Sequence, residues 1–187
     1  MRIAVPGAGT PILELLHEPD AEQLRFSARA WGNRLGTGRV SRSYAPPYAL
    51  VAWHSHPVGV DIERVAPCDE HFARSICTPE EAARAPWTQD REIIGLWSGK
   101  EALAKALGDA LRYDPRRLDS PAAWADGRSG PWRARALEVA DGYCAWVCWR
   151  DPGFQADERA VDRSRVQARV HSDRYARNRD RRRPVGR

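Results

Sequence analysis

Residues 96–108 read "LWSGKEALAKALG" and hold both lysines of the 187-residue chain, Lys100 and Lys105; arginine supplies the other 28 of its 30 basic residues. The surrounding pattern is helical. At 100° per residue Ile93, Leu96, Trp97, Leu103, Ala104 and Leu107 fall on one arc, which predicts a helix from about Thr88 to Leu107 stopped by Gly108. Lys100 lies in the middle of that apolar arc. Glu101 and Lys105 share its flank at i and i+4, where side chains meet.

Working outward, "TPEE" (Thr78–Glu81) is a helix start, with Thr78 as N-cap, Pro79 at the first helical position and Glu81 closing a capping box. Further upstream "YALVAW" (Tyr48–Trp53) and "VGVDIE" (Val58–Glu63) flank "HSHP" and predict two strands joined by a tight turn. His54 and His56 read as turn residues there, pointing away from the far end of the second strand. "ILELLHE" fits a strand or a short helix, and "EQLRFSARAWGNRLG" fits a helix ending near Gly32 or Gly36. Downstream, "PWRARALEV" and "YCAWVCWR" predict a hairpin turning at Asp141-Gly142. Strands, then helices, then a closing hairpin predict an α+β fold with a mainly antiparallel sheet.

Bulk properties narrow the function. The chain is 42% hydrophobic, yet no apolar run approaches the ~20 residues of a membrane span. No apolar stretch of secretory-leader type follows Arg2, so the default expectation is a cytoplasmic protein. The net charge of +5 resides in the last segment, where residues 150–187 carry 12 arginines against 6 acids. That segment lacks the apolar residues to fold on its own and is expected to be a disordered tail rather than a nucleic-acid-binding arm. Cys68, Cys77, Cys144 and Cys148 form no CxxC pair, and Cys144 and Cys148 read as core residues.

Asp61 and Glu63, two apart on a predicted strand, face the same side of their sheet. With Glu101 they could hold Mg²⁺, because converging carboxylates repel unless a hard cation sits between them. Equally, they could be exposed edge residues beside an ordinary Glu101–Lys105 ion pair. Lys100 bears on the choice, since an ammonium in an apolar stripe must meet an anion or snorkel to water. A lysine also differs from arginine in being a compact charge that can lose its proton.

"GVDIE" (Gly59–Glu63), followed 34 residues after Glu63 by "WSGKEALAK" (Trp97–Lys105), resembles the signature of the 4′-phosphopantetheinyl transferases. The resemblance implies that fold, a pseudo-dimer of two α/β lobes with mainly antiparallel sheets, here Sfp-type with a shortened first lobe. The implied organisation is 1–57 for that lobe, 58–150 for the lobe with metal and catalytic motifs, and 151–187 for the tail. The implied activity moves the phosphopantetheine arm of coenzyme A to a serine of an apo acyl- or peptidyl-carrier protein, releasing adenosine 3′,5′-bisphosphate. By the same resemblance Asp61, Glu63 and Glu101 ligate Mg²⁺, and Lys100 and Lys105 bind phosphate oxygens. Glu101, or Lys105, deprotonates the carrier serine. The family's Ser-His-[Ser/Thr] stretch, whose histidine contacts the 3′-phosphate, is represented by Ser41-Arg42-Ser43, with Ser41 and Arg42 as the coenzyme-binding expectation. A monomer is expected. Two other readings are a CoA- or carrier-binding relative without transfer, and nucleic-acid binding through the tail.

Overall fold

A computed structural model describes residues 1–84 and 89–154. Met1–Pro152 forms one unit, and the expected tail, 151–187, lies almost wholly outside the described residues. That unit contains two antiparallel four-stranded sheets. The first sheet is built from β1 (Arg2–Ile3), β2 (Ile12–His17), β3 (Arg39–Ala45) and β4 (Tyr48–His54), in the order β1-β2-β4-β3. The second comprises β5 (Val58–Arg64), β6 (Arg128–Ser129), β7 (Trp132–Leu137) and β8 (Tyr143–Arg150), in the order β5-β8-β7-β6. The α+β expectation holds, and "ILELLHE" resolves as a strand.

β4 is an inner strand of its sheet and is apolar on both faces. Ala49 and Val51 pack against Leu24 and Ala28 of α1 (Ala21–Asn33), while Leu50 and Ala52 join the core shared with the second sheet. Spacing explains the helix's seat: Leu24, Ala28 and Gly32 recur every four residues on its buried face. Asp20 caps its start by accepting from the Gln23 N–H at 2.7 Å. On the other side of the shared core stand Val58, Val60 and Ile62 of β5 with Ala145 and Val147 of β8.

The pairing corrects one sequence expectation. β4 and β5 do not form a hairpin: β4 pairs with β2 and β3, whereas β5 pairs with β8. The short link at 55–57 carries the chain from one sheet to the other. His54 is correspondingly not a turn residue but the last residue of β4, buried, with Nε2 donating to the Gly9 carbonyl at 3.0 Å. The downstream hairpin is as expected, β7 pairing with β8 around Gly142, whose φ of 78° suits a glycine.

α2 (Glu70–Ile76) and α3 (Pro79–Ala82) precede the long α4 (Asp90–Leu107). The Thr78–Glu81 capping box is present, and Gly108 ends α4 in the left-handed conformation. The four cysteines form no disulfide among the described residues, and Cys144 and Cys148 are buried as expected. α4 lies across β5 and β8 at very short range. A Cβ on Gly59 would stand 2.0 Å from the Ala102 carbonyl oxygen and 2.4 Å from the Ala106 nitrogen. Glycine at 59 is therefore what lets the helix backbone touch the strand, and this contact sets how far any side chain of α4 can reach over β5. Among the described residues, no helix is long and apolar enough to cross a membrane.

Candidate active site

The two sheets meet where their edge strands β3 and β5 run side by side, joined through serine side chains rather than a backbone ladder. Ser41 Oγ accepts from the Val60 N–H at 3.0 Å, and Ser43 Oγ donates to Asp61 Oδ1 at 2.8 Å. Alternation along β3 points both serines at this seam. Arg42 therefore faces the other way, toward α1, where its Nε donates to the Ala28 carbonyl at 3.1 Å. Gly32 leaves room for it: a Cβ there would lie 2.5 Å from an Arg42 terminal nitrogen.

Asp61 is 1% exposed. Lys105, reaching down from α4, donates to Asp61 Oδ1 at 2.6 Å and to Ser43 Oγ at 3.2 Å. Serine, aspartate and lysine thus come from three elements, and the serine and the lysine, bonded to each other, both donate to one aspartate oxygen. The other oxygen, Asp61 Oδ2, is buried and has no hydrogen-bond partner. A buried unpaired carboxylate oxygen is costly, and such an atom in a native site calls for a partner.

Glu63 and Glu101 complete the acidic group. Burial pushes the Glu63 carboxyl up to about 7, with Asp61 and then Glu101 adding to the rise while Lys105 and a hydrogen bond from Trp97 oppose it. Glu101 is also held above the ordinary carboxylate range, chiefly by burial, with Tyr113, whose hydroxyl donates to Glu101 Oε1 at 2.6 Å, pulling the other way. Burial first, then this bond, pushes the Tyr113 phenol far up. The three carboxyl groups feel one another, as a cation-binding group would.

Lys100 departs from the expectation that it binds phosphate. It is fully buried, and its ammonium donates to Glu81 Oε2 at 2.5 Å, to the Ile76 carbonyl at 2.6 Å and to the Pro115 carbonyl at 2.8 Å. Three N–H donors meet three acceptors, so none is left for a ligand. The apolar stripe does demand an anion for this ammonium, but a second buried residue supplies it. Glu81 is itself satisfied throughout, accepting also from Thr78 N–H at 2.9 Å and Ser120 N–H at 2.7 Å.

The structure thus gathers Asp61, Glu63, Glu101 and Lys105, places Ser41 at the seam, and puts Arg42 and Lys100 elsewhere. Ser43 and Tyr113 are the residues to which sequence reasoning gave no role. The alternation that carries Ser41 to the seam would have found Ser43, whereas no local pattern marks Tyr113. Among the described residues no three potential ligands already stand in a geometry that encloses a metal ion. The donor set nevertheless fits a hard divalent cation: carboxylate oxygens only, one of them buried without a partner, and two carboxyls whose ionisation burial opposes.

Two edge-joined sheets, with a long helix closing a carboxylate–lysine cluster over the seam, define an α+β protein. Residues 57–159 match the 4′-phosphopantetheinyl transferase superfamily, and the chain belongs to that family. It is 25% identical to the 4′-phosphopantetheinyl transferase Sfp of Bacillus subtilis (strain 168) over 162 residues, covering 78% of this chain and 72% of that protein. It is also 28% identical over 150 residues to the 4′-phosphopantetheinyl transferase ffp of Bacillus subtilis, covering 72% of this chain and 66% of that protein. Both likenesses place it with the Sfp-type members.

Proposed function

We propose that the protein transfers the 4′-phosphopantetheine arm of coenzyme A to a serine of an apo acyl- or peptidyl-carrier protein, with Mg²⁺ as cofactor. One observation carries this reading. Inside a chain of this family, the aspartate of β5 and the lysine of α4 are bonded to each other, and Glu63 and Glu101 lie in the same electrostatic cluster. Asp61, Glu63 and Glu101 would hold the Mg²⁺, which supplies charge stabilisation on the pyrophosphate when bound.

The chain's own groups account for the rest. Glu101, whose proton affinity burial raises above that of an ordinary carboxylate, takes the proton of the carrier serine. The serine oxygen bonds to the phosphorus that bears the pantetheine arm. The phosphorus–oxygen bond to the leaving adenosine 3′,5′-bisphosphate breaks, taking the electron pair with it. Lys105 turns its ammonium toward the pyrophosphate oxygens and neutralises charge as it builds. Arg42 is the residue proposed to meet the 3′-phosphate, from the α1 side of its sheet. Ser41 serves the site by fixing β3 against β5.

Incubation of the full chain with CoA, Mg²⁺ and a panel of apo carrier proteins is expected to add one phosphopantetheine mass to a carrier. The addition should disappear on chelation and in Glu101→Gln. CoA binding with no mass added to any carrier would instead favour a non-transferring relative.

A further inference from the structure

α4 carries Glu101 beside Lys100, so consecutive residues belong to different networks. One segment links them. Beyond Gly108 the chain doubles back over the helix end: the Asp109 N–H donates to the Ala104 carbonyl at 3.0 Å, and the Tyr113 N–H donates to the Asp109 carbonyl at 3.2 Å. Asp114 caps the short turn Pro115–Arg117 by accepting from the Arg116 N–H at 3.0 Å. The carbonyl of Pro115 is then one of the three acceptors on buried Lys100. Residues 109–115 are therefore tied at one end to the C-terminal turn of α4 and at the other to its middle. Half-buried Tyr113 sits between the two ties, with its hydroxyl 2.6 Å from Glu101 Oε1.

We propose that Tyr113 is a positioning residue for Glu101, held in place by the Lys100–Pro115 bond, and that it holds Oε1 so that Oε2 is the oxygen that would serve a bound metal and the carrier hydroxyl. The inference rests on the transferase reading for what Glu101 does, but not for how Glu101 is held. It parallels the treatment of Asp61, where Ser43 and Lys105 both occupy Oδ1 and leave Oδ2 unpartnered. Each of these two carboxylates has one oxygen bonded by the chain itself. A carboxylate secured at one oxygen is restrained in its rotation, which is what a site needing sub-ångström placement requires. The role assigned to Lys100 also changes: it supports the site through the backbone of Pro115 and does not touch the substrate.

The test is Tyr113→Phe in the full chain, which removes the hydroxyl and keeps the ring. Mn²⁺ alone, followed by electron paramagnetic resonance, reads metal binding without any turnover; transfer kinetics are measured alongside. Loss of a hydrogen bond to a charged acceptor is expected to weaken Mn²⁺ binding about tenfold and lower kcat about tenfold. KM for CoA should stay within about twofold, because phosphate contacts are untouched. In a Glu101→Ala background the Tyr113→Phe effect on Mn²⁺ should vanish. Mn²⁺ binding and kcat equal to the unmutated protein, or a Mn²⁺ loss that persists in the Glu101→Ala background, would overturn the proposal. A protein that binds Mn²⁺ with this dependence on Tyr113 yet modifies no carrier leaves the inference standing and removes the transferase reading instead.

Discussion

Lys100 and Lys105 sit five residues apart on one helix and live in opposite worlds. Lys100 is enclosed, with every donor used on protein acceptors and its carboxylate partner 4% exposed at the side chain. Lys105 is 23% exposed at the side chain, and the Asp61 it bonds keeps one oxygen unpartnered. The first arrangement is closed, and it fastens α3, the 109–117 segment and α4 together. The second is open on one side and holds charge in reserve. A lysine's place in a motif therefore does not reveal its job; what matters is whether its anion is already complete.

The comparison breaks first on stability. Lys100→Met leaves Glu81 buried with its ammonium gone, and stranding one partner of a buried pair costs about 3–5 kcal/mol. Urea unfolding should show an unfolding free energy lower by that amount, and Lys100→Met/Glu81→Gln should recover part of it. If Lys100→Met unfolds like the unmutated chain, the closed network is not holding the helices together.

Lys105→Arg keeps the charge and should separate activity from stability. The guanidinium is larger, planar and always protonated, so it cannot reproduce an ammonium that bridges Asp61 Oδ1 and Ser43 Oγ. Transfer should fall by roughly tenfold or more, while the thermal midpoint corresponds to a change within about 1 kcal/mol. Full activity in Lys105→Arg would mean that a cation of either shape serves, and the distinction from arginine would lose its force.

Much of this was readable in the sequence where the cause is local. Helical periodicity, the Thr78–Glu81 box, the Asp141-Gly142 turn and the two-residue spacing of Asp61 and Glu63 all depend on neighbours along the chain. What was not readable depends on distant partners. β4 and β5 look like a hairpin because 48–63 satisfies hairpin spacing, but β5 pairs with a strand that begins at Tyr143. β3 hides because its seam-facing positions are serines, buried for the hydrogen bonds they make across to β5. Lys100 looked like a ligand because its anion, Glu81, lies 19 residues upstream in another helix. Tyr113 is 12 residues from Glu101 across a helix end, a separation that carries no periodic signal.

The smallest effect concerns the open side of the comparison and its proton balance. Glu63 has a folded-state pKa of about 7 against an ordinary 4.5, raised mainly by burial and next by Asp61. Below the ordinary value the group is protonated in both folded and unfolded chains and costs nothing. As pH rises from 4.5 toward 7 the unfolded chain gives up the proton before the folded one does, so stability falls across that window and stays lower above it. A divalent cation needs the carboxylate form, so its binding should strengthen as pH rises through 7 and should release protons. The gain in thermal midpoint on adding Mg²⁺ should therefore be larger at pH 7.5 than at pH 5.5, and Glu63→Gln should flatten the difference. An equal gain at both pH values would show that Glu63 does not exchange its proton for the metal.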